Sequence, residues 1–267
     1  EPTYLGINSK SMWLPIRLYE TDAGKTLTII RDKLKGDSVL ASVPYIGNNY
    51  GFFRVFMREN GLIMILAFAI LIFDFLVMAL CIIYRIRTRK SFALMYLSIA
   101  VYVAACWLLL DNLCYPFMFN NYFIDSTCEF LLVMLLPFPF TAYLNILQKR
   151  RYQKIFNVAH IEIILEFLTF ATLHFTNVLE FNRALPYINI NTGIMVFTTF
   201  GVTLYDLFIK KNRDYKIVAV GFLTFLFFTI VEVLHISTPV HSNDGSYIAV
   251  GLIILLAMAI YQEGVNI

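Results

Sequence analysis

Seven long apolar runs follow one another through most of the chain, at 61–84, 91–110, 127–147, 156–176, 186–209, 217–234 and 246–261. Each has about the length a helix needs to cross a bilayer, roughly 17–25 residues. Residues 1–60 have another texture. Short stretches rich in β-branched and aromatic residues, at 13–19, 25–31, 39–46 and 52–57, alternate with the turn formers Asp22-Ala23-Gly24, Lys35-Gly36-Asp37 and Gly47-Asn48-Asn49. The pattern predicts an all-α membrane protein. A seven-transmembrane helix bundle over 61–263 is preceded over 1–60 by the C-terminal part of an extracellular β-sandwich and followed at 264–267 by the start of a cytoplasmic linker. Sixty residues make a marginal core alone, so the rest of the sandwich is expected upstream. Glu1-Pro2 carries no methionine and no signal peptide follows it, so the chain reads as a piece of a longer protein.

Charge fixes the expected orientation. Arg85, Arg87, Arg89 and Lys90 follow the first run; Lys149, Arg150, Arg151 and Lys154 follow the third; Lys210, Lys211, Arg213 and Lys216 follow the fifth. The alternate loops carry only Arg183, so twelve basic residues face one. The asymmetry predicts a multi-pass protein of the cell membrane with its N-terminus outside and Ile267 emerging into the cytoplasm.

Composition agrees, at 59% hydrophobic and 15% charged residues with a mean hydropathy of +0.71, against about 45–50% apolar and about 25% charged in soluble domains. That balance makes the lipid bilayer the first partner and excludes disorder, coiled-coil rods and free nucleic-acid binding. The four cysteines form no CxxC pair. Only Cys114 and Cys128 stand where an oxidising compartment would reach them, and a disulfide between them stays open.

No HExxH, GxSxG, GxxxxGK[ST] or GxGxxG motif occurs, so neither catalysis nor a cofactor is expected within these residues. The informative groups are ionisable side chains inside the apolar runs, since a charge at bilayer depth costs at least about 2.5–3.5 kcal/mol. Asp74 lies mid-way through the first run, and Glu162 and Glu166 lie in the fourth. At 100° per residue Glu162, Glu166, Thr169 and Thr176 span an arc of about 80°, a polar stripe expected to face the bundle interior. Asp74, Glu162, Glu166 and Thr169 are therefore the candidate signalling or ligand site, with an interhelical hydrogen-bond clamp as the plainer alternative and Asp74 as a possible partner of either glutamate. Asp206 and Lys210, one turn apart, suit an interfacial ion pair. Glu232 and His235 close the sixth run and His241 and Asp244 follow in the loop, a group that could hold a metal but without the spacing of a closed site. His160 and His174 are expected to pack. Pro137 and Pro139 break the third run and mark a candidate hinge.

The layout resembles a bacterial family, the seven-transmembrane receptors with diverse intracellular signalling modules. The resemblance rests on the stretch at 25–31 followed by Val39-Leu40-Ala41-Ser42-Val43-Pro44-Tyr45-Ile46-Gly47, the basic first inner loop, Trp107-Leu108-Leu109-Leu110-Asp111-Asn112 and Leu135-Leu136-Pro137-Phe138-Pro139. It implies an external jelly roll that senses a small extracellular ligand, a homodimer, and a seventh helix running through a coiled coil into a cytoplasmic effector, often a GGDEF diguanylate cyclase, a histidine kinase or a phosphatase. The function expected is a sensory receptor module. The rivals are a transporter or channel using intramembrane carboxylates, and an intramembrane enzyme using Glu162 and Glu166.

Overall fold

A computed structural model describes residues 19–26, 48–88, 93–111, 122–179, 181–212, 214–236 and 245–266. The helices are α1 (Asn49–Thr88), α2 (Ala93–Asp111), α3 (Tyr122–Leu135), α4 (Pro137–Leu147), α5 (Gln153–Phe175), α6 (Phe181–Leu204), α7 (Lys216–Ile236) and α8 (Ser246–Asn266). A single 3-10 turn at Glu20–Asp22 precedes them, and no strand occurs among the described residues.

The sandwich expectation fares differently at its two ends. The stretches at 13–19, 25–31 and 39–46 lie almost wholly outside the described residues. The stretch at 52–57 is helical, inside α1. Its turn signal has a second meaning: the Gly51 amide donates to Asn48 Oδ1 at 2.7 Å, so Asn48 caps a helix rather than closing a hairpin. α1 is consequently 40 residues long, about 60 Å at 1.5 Å per residue.

Six stretches are long and apolar enough to cross a membrane: Asn60–Arg87, Ala93–Leu110, Thr127–Leu147, Gln153–Phe175, Arg183–Ile209 and Ser246–Gly264. The seventh expected span, 217–234, is helical in α7 but is not one of these six. Among the described residues α2 is central, packing on α1, α3, α4 and α8. α5 and α6 pair and lean on α3 and α4, while α7 lies along α8. The main core gathers Leu97, Val101, Leu108, Tyr143, Phe222, Leu252 and Leu255. Outward faces are apolar too: Leu62, Ile65, Ile72 and Leu80 of α1, and Ile190, Ile194 and Phe197 of α6, are exposed. Such a surface suits contact with lipid.

The α7–α8 pair owes its closeness to glycine. A Cβ on Gly251 would stand 3.1 Å from Phe225 Cδ2 and 3.3 Å from Phe225 Cα, and one on Gly221 would stand 3.2 Å from Met258 Sδ. Both ends of the pair are also pinned. The Ile217 amide donates to Gln262 Oε1 at 3.3 Å, and at the far end Glu232 receives the Gly245 and Tyr247 amides, each at 3.0 Å.

The third run breaks where the prolines predict. Leu136 separates α3 from α4 while keeping helical dihedrals (φ −54°, ψ −40°), because neither Pro137 nor Pro139 has an amide to continue the ladder. The Thr141 hydroxyl donates to the carbonyls of Pro137 (3.0 Å) and Phe138 (2.9 Å).

Candidate functional site: a buried aspartate at the basic end

Thr199 and Thr203 of α6 and Asp206 just past its end stand at i, i+4 and i+7, a spacing that puts all three on one face, and all three are buried. Past Leu204 the backbone widens into a π-turn, Tyr205–Ile209, closed by the Lys210 amide donating to the Tyr205 carbonyl at 3.2 Å. Single π-turns of this kind re-aim side chains and concentrate at functional sites. Here the side chain is Asp206, with no exposed surface.

Four donors reach it. Arg151 Nη1 (2.8 Å) and the Tyr152 hydroxyl (3.1 Å) donate to Oδ1; Asn212 Nδ2 (2.8 Å) and the Tyr215 hydroxyl (2.9 Å) donate to Oδ2. The carboxylate therefore ties the loop before α5, the end of α6 and the approach to α7 into one junction. Gln148 Nε2 donates to Thr203 Oγ1 at 2.7 Å beneath it, and Lys149 pairs with Asp214 at 2.7 Å beside it. Its hydrogen bond and charge hold the Arg151 guanidinium above its usual range. Burial, then the same carboxylate, pushes the Tyr152 and Tyr215 hydroxyls up.

The junction replaces the ion pair expected between Asp206 and Lys210. The Lys210 ammonium lies instead 5.9 Å over the Tyr205 ring, since the π-turn carries Asp206 inward and leaves Lys210 exposed. Arg151, Tyr152, Asn212 and Tyr215 were not singled out by sequence, where they read as an orientation signal and loop filler. The spacing of Thr199, Thr203 and Asp206 carries the signal for an inward polar face, which reading Asp206 only with Lys210 passed over.

The intramembrane acids are placed apart. Asp74 of α1 is fully buried and accepts the Ser98 hydroxyl of α2 at 2.9 Å. Glu166 of α5 is buried and accepts Asn191 Nδ2 of α6 at 2.6 Å. Asp74 thus partners neither glutamate. The stripe on α5 is also divided: Glu162 is half-buried, and Thr169 and Thr176 are exposed. The buried positions of α5, Phe156, Ala159, Ile163 and Glu166, centre about 80° round the helix from Glu162, so the stripe straddles the edge of the packed face. His160 packs on Phe138 (4.7 Å between centroids) and His174 on Phe181 (3.9 Å).

Glu232, read as a candidate metal ligand, has its carboxylate committed to backbone amides at the start of α8, where the helix dipole favours an anion. His241 and Asp244 lie outside the described residues. Among the described residues no group of three His, Cys, Asp or Glu is arranged to hold a metal. Cys81, Cys106 and Cys128 are free thiols, and Cys114 lies outside the described residues.

Compared with protein-family models, curated proteins and solved structures, the chain gives no match.

Proposed function

We propose that the chain is the membrane-embedded part of a sensory receptor, in which α8 carries a signal across the bilayer to an effector beyond Ile267. The observation that carries this reading is the pinning of α8 along α7. Ile217 meets Gln262 at one end and Glu232 meets Gly245 at the other, so α7 runs antiparallel to α8 over its whole length. α8 is a candidate span; α7 then traverses the same depth and is the seventh crossing. With seven crossings, α8 leaves the bundle at the end where the basic loops gather, which the positive-inside rule assigns to the cytoplasm.

The buried junction suits this role. Tyr215 precedes α7, and its hydroxyl is held by Asp206 at the end of α6. A displacement of α6, or of the loop at Arg151, is passed to α7 and through Gln262 to the exit of α8. A ligand works such a device only by favouring one of two arrangements. The ligand expected is a small molecule outside, bound by the segment ahead of α1. The output is that of a diguanylate cyclase or a histidine kinase in a dimer. Catalysis belongs to that effector.

Transport through a carboxylate path is less well supported, because Asp74 and Glu166 sit in different helix pairs with different partners. The deciding experiment reads the encoding gene past the codon for Ile267. A heptad linker leading into a cyclase or kinase signature is the expected result. A stop codon within a few residues overturns the effector-coupled reading.

A further inference from the structure

Two loops that are distant in sequence meet at the Asp206 junction, 148–154 and 205–216. Their described residues bring seven cations together, Lys149, Arg150, Arg151, Lys154, Lys210, Lys211 and Lys216, all exposed. Two carboxylates stand among them, and both are taken: Asp206 by Arg151 and Asp214 by Lys149. Seven cations less two carboxylates leave a surplus of five positive charges on one platform. Arg150, Lys154, Lys211 and Lys216 form no ion pair among the described residues.

Two of them stand where the local helix disfavours a cation. Lys154 stands in the first turn of α5 and Lys216 is the first residue of α7. A cation there opposes the helix dipole, which favours an anion at that end. The first-turn amides Gln153, Ile155 and Phe156 of α5 and Ile217 of α7 already have acceptors, so it is the side-chain cations that are suited to a phosphate group. Immediately beside the platform the surface turns apolar: Ile155, Val158, Tyr205, Phe208 and Ile209 are exposed, Phe208 at 67% and Ile209 at 65%.

The geometry points to a binding site for the headgroup of an acidic phospholipid between the start of α5 and the π-turn that follows α6. The phosphate lies among Arg150, Lys154, Lys211 and Lys216, and the acyl chains lie along Val158, Phe208 and Ile209. The apolar skirt selects a lipid over a soluble phosphate compound, because a free phosphate leaves it uncovered. Juxtamembrane cations of this kind recognise anionic headgroups by charge. Occupancy cross-links the two loops that Asp206 already joins.

The test follows the thermal midpoint of the purified chain in a zwitterionic detergent, with phosphatidylglycerol, phosphatidylcholine or glycerophosphate added. Phosphatidylglycerol is expected to raise the midpoint and the other two to leave it unchanged. The double variant Lys154→Gln/Lys216→Gln is expected to hold or slightly raise the lipid-free midpoint, since it removes two cations from helix N-termini. It should bind phosphatidylglycerol about 30-fold more weakly. Arg54→Gln/Arg183→Gln, which removes the same charge from the opposite end, should keep the full response. Equal effects of the two lipids, a full response to glycerophosphate, an unchanged response in Lys154→Gln/Lys216→Gln, or an equal loss in the control each overturn the site. Native mass spectrometry of the unsubstituted chain with equal amounts of both lipids gives an independent reading. Preferential retention of phosphatidylglycerol supports the site, and indifference overturns it.

Discussion

Asp206 receives four hydrogen bonds, one from a cation and three from neutral groups, so removing it leaves the Tyr215 hydroxyl only its longer 3.4 Å bond to the Thr203 carbonyl and takes the acceptor from Tyr152, Asn212 and Arg151. A buried donor left without an acceptor costs roughly 1–3 kcal/mol. Asp206→Ala should therefore lower the thermal midpoint markedly in detergent, whereas Lys210→Gln should leave it in place. A comparable loss from Lys210→Gln would restore the simple interfacial pair as the correct description. Tyr215 adds a pH dependence of definite sign. Burial and the adjacent Asp206 both favour its protonated form, so its folded value lies above the ordinary value of 10. The folded protein keeps the proton where the unfolded chain has begun to lose it. Stability from this group is full below about pH 10 and declines as pH rises beyond it. Tyr215→Phe should flatten the alkaline fall of the midpoint, and identical slopes in the two proteins would contradict the burial argument. Asp74 and Glu166 were legible as special because a carboxyl in an apolar run stands out. Their partners Ser98 and Asn191 were not, because an uncharged polar residue in a span is unremarkable until the neighbouring helix is known.

At the scale of the element, apolar length was the dependable signal and chain reversal the weaker one. The apolar runs located the helices because the bilayer demands a fixed length. The stretch at 52–57 misled because Phe52-Phe53-Arg54-Val55-Phe56 has strand-like composition, while the Asn48 cap and the continuation into the first span favour helix. Gly245 and Glu232 show how such a boundary is made. Gly245 adopts φ +63°, and a Cβ there would come within 2.9 Å of Leu108 Cδ2. Glu232 reaches across from α7 to hold the amides that follow. Gly245→Ala should destabilise by more than about 1 kcal/mol, from backbone strain and contact together. Glu232→Ala should cost roughly 1–2 kcal/mol and speed hydrogen exchange at Tyr247 and Ile248 ahead of the rest of α8. Exchange unchanged at those two amides would show that Glu232 does not hold the end of the helix.

For the whole molecule, the question that separates a receptor from a conduit is whether its buried acids belong to one network. Asp74 lies between α1 and α2, Glu166 between α5 and α6, and α3 and α4 pack between the two pairs. Measured from the basic ends of their helices, both stand at similar depth. Asp74 is eleven residues before Arg85 and Glu166 twelve after Lys154, about 16 and 18 Å at the helical rise. A shared depth is what an ion path would use, but a path also needs the groups to exchange partners. Ser98 serves one acid and Asn191 the other, with no residue common to both hydrogen bonds. Substitutions at sites without shared partners add in free energy to within about 0.5 kcal/mol. Asp74→Asn and Glu166→Gln should each shift the thermal midpoint, and the double variant should show their sum. A coupling beyond about 1 kcal/mol would place the two carboxyls in one network and return the balance to transport. Additivity leaves each acid as a clamp in its own helix pair and removes the support for a shared carboxylate path.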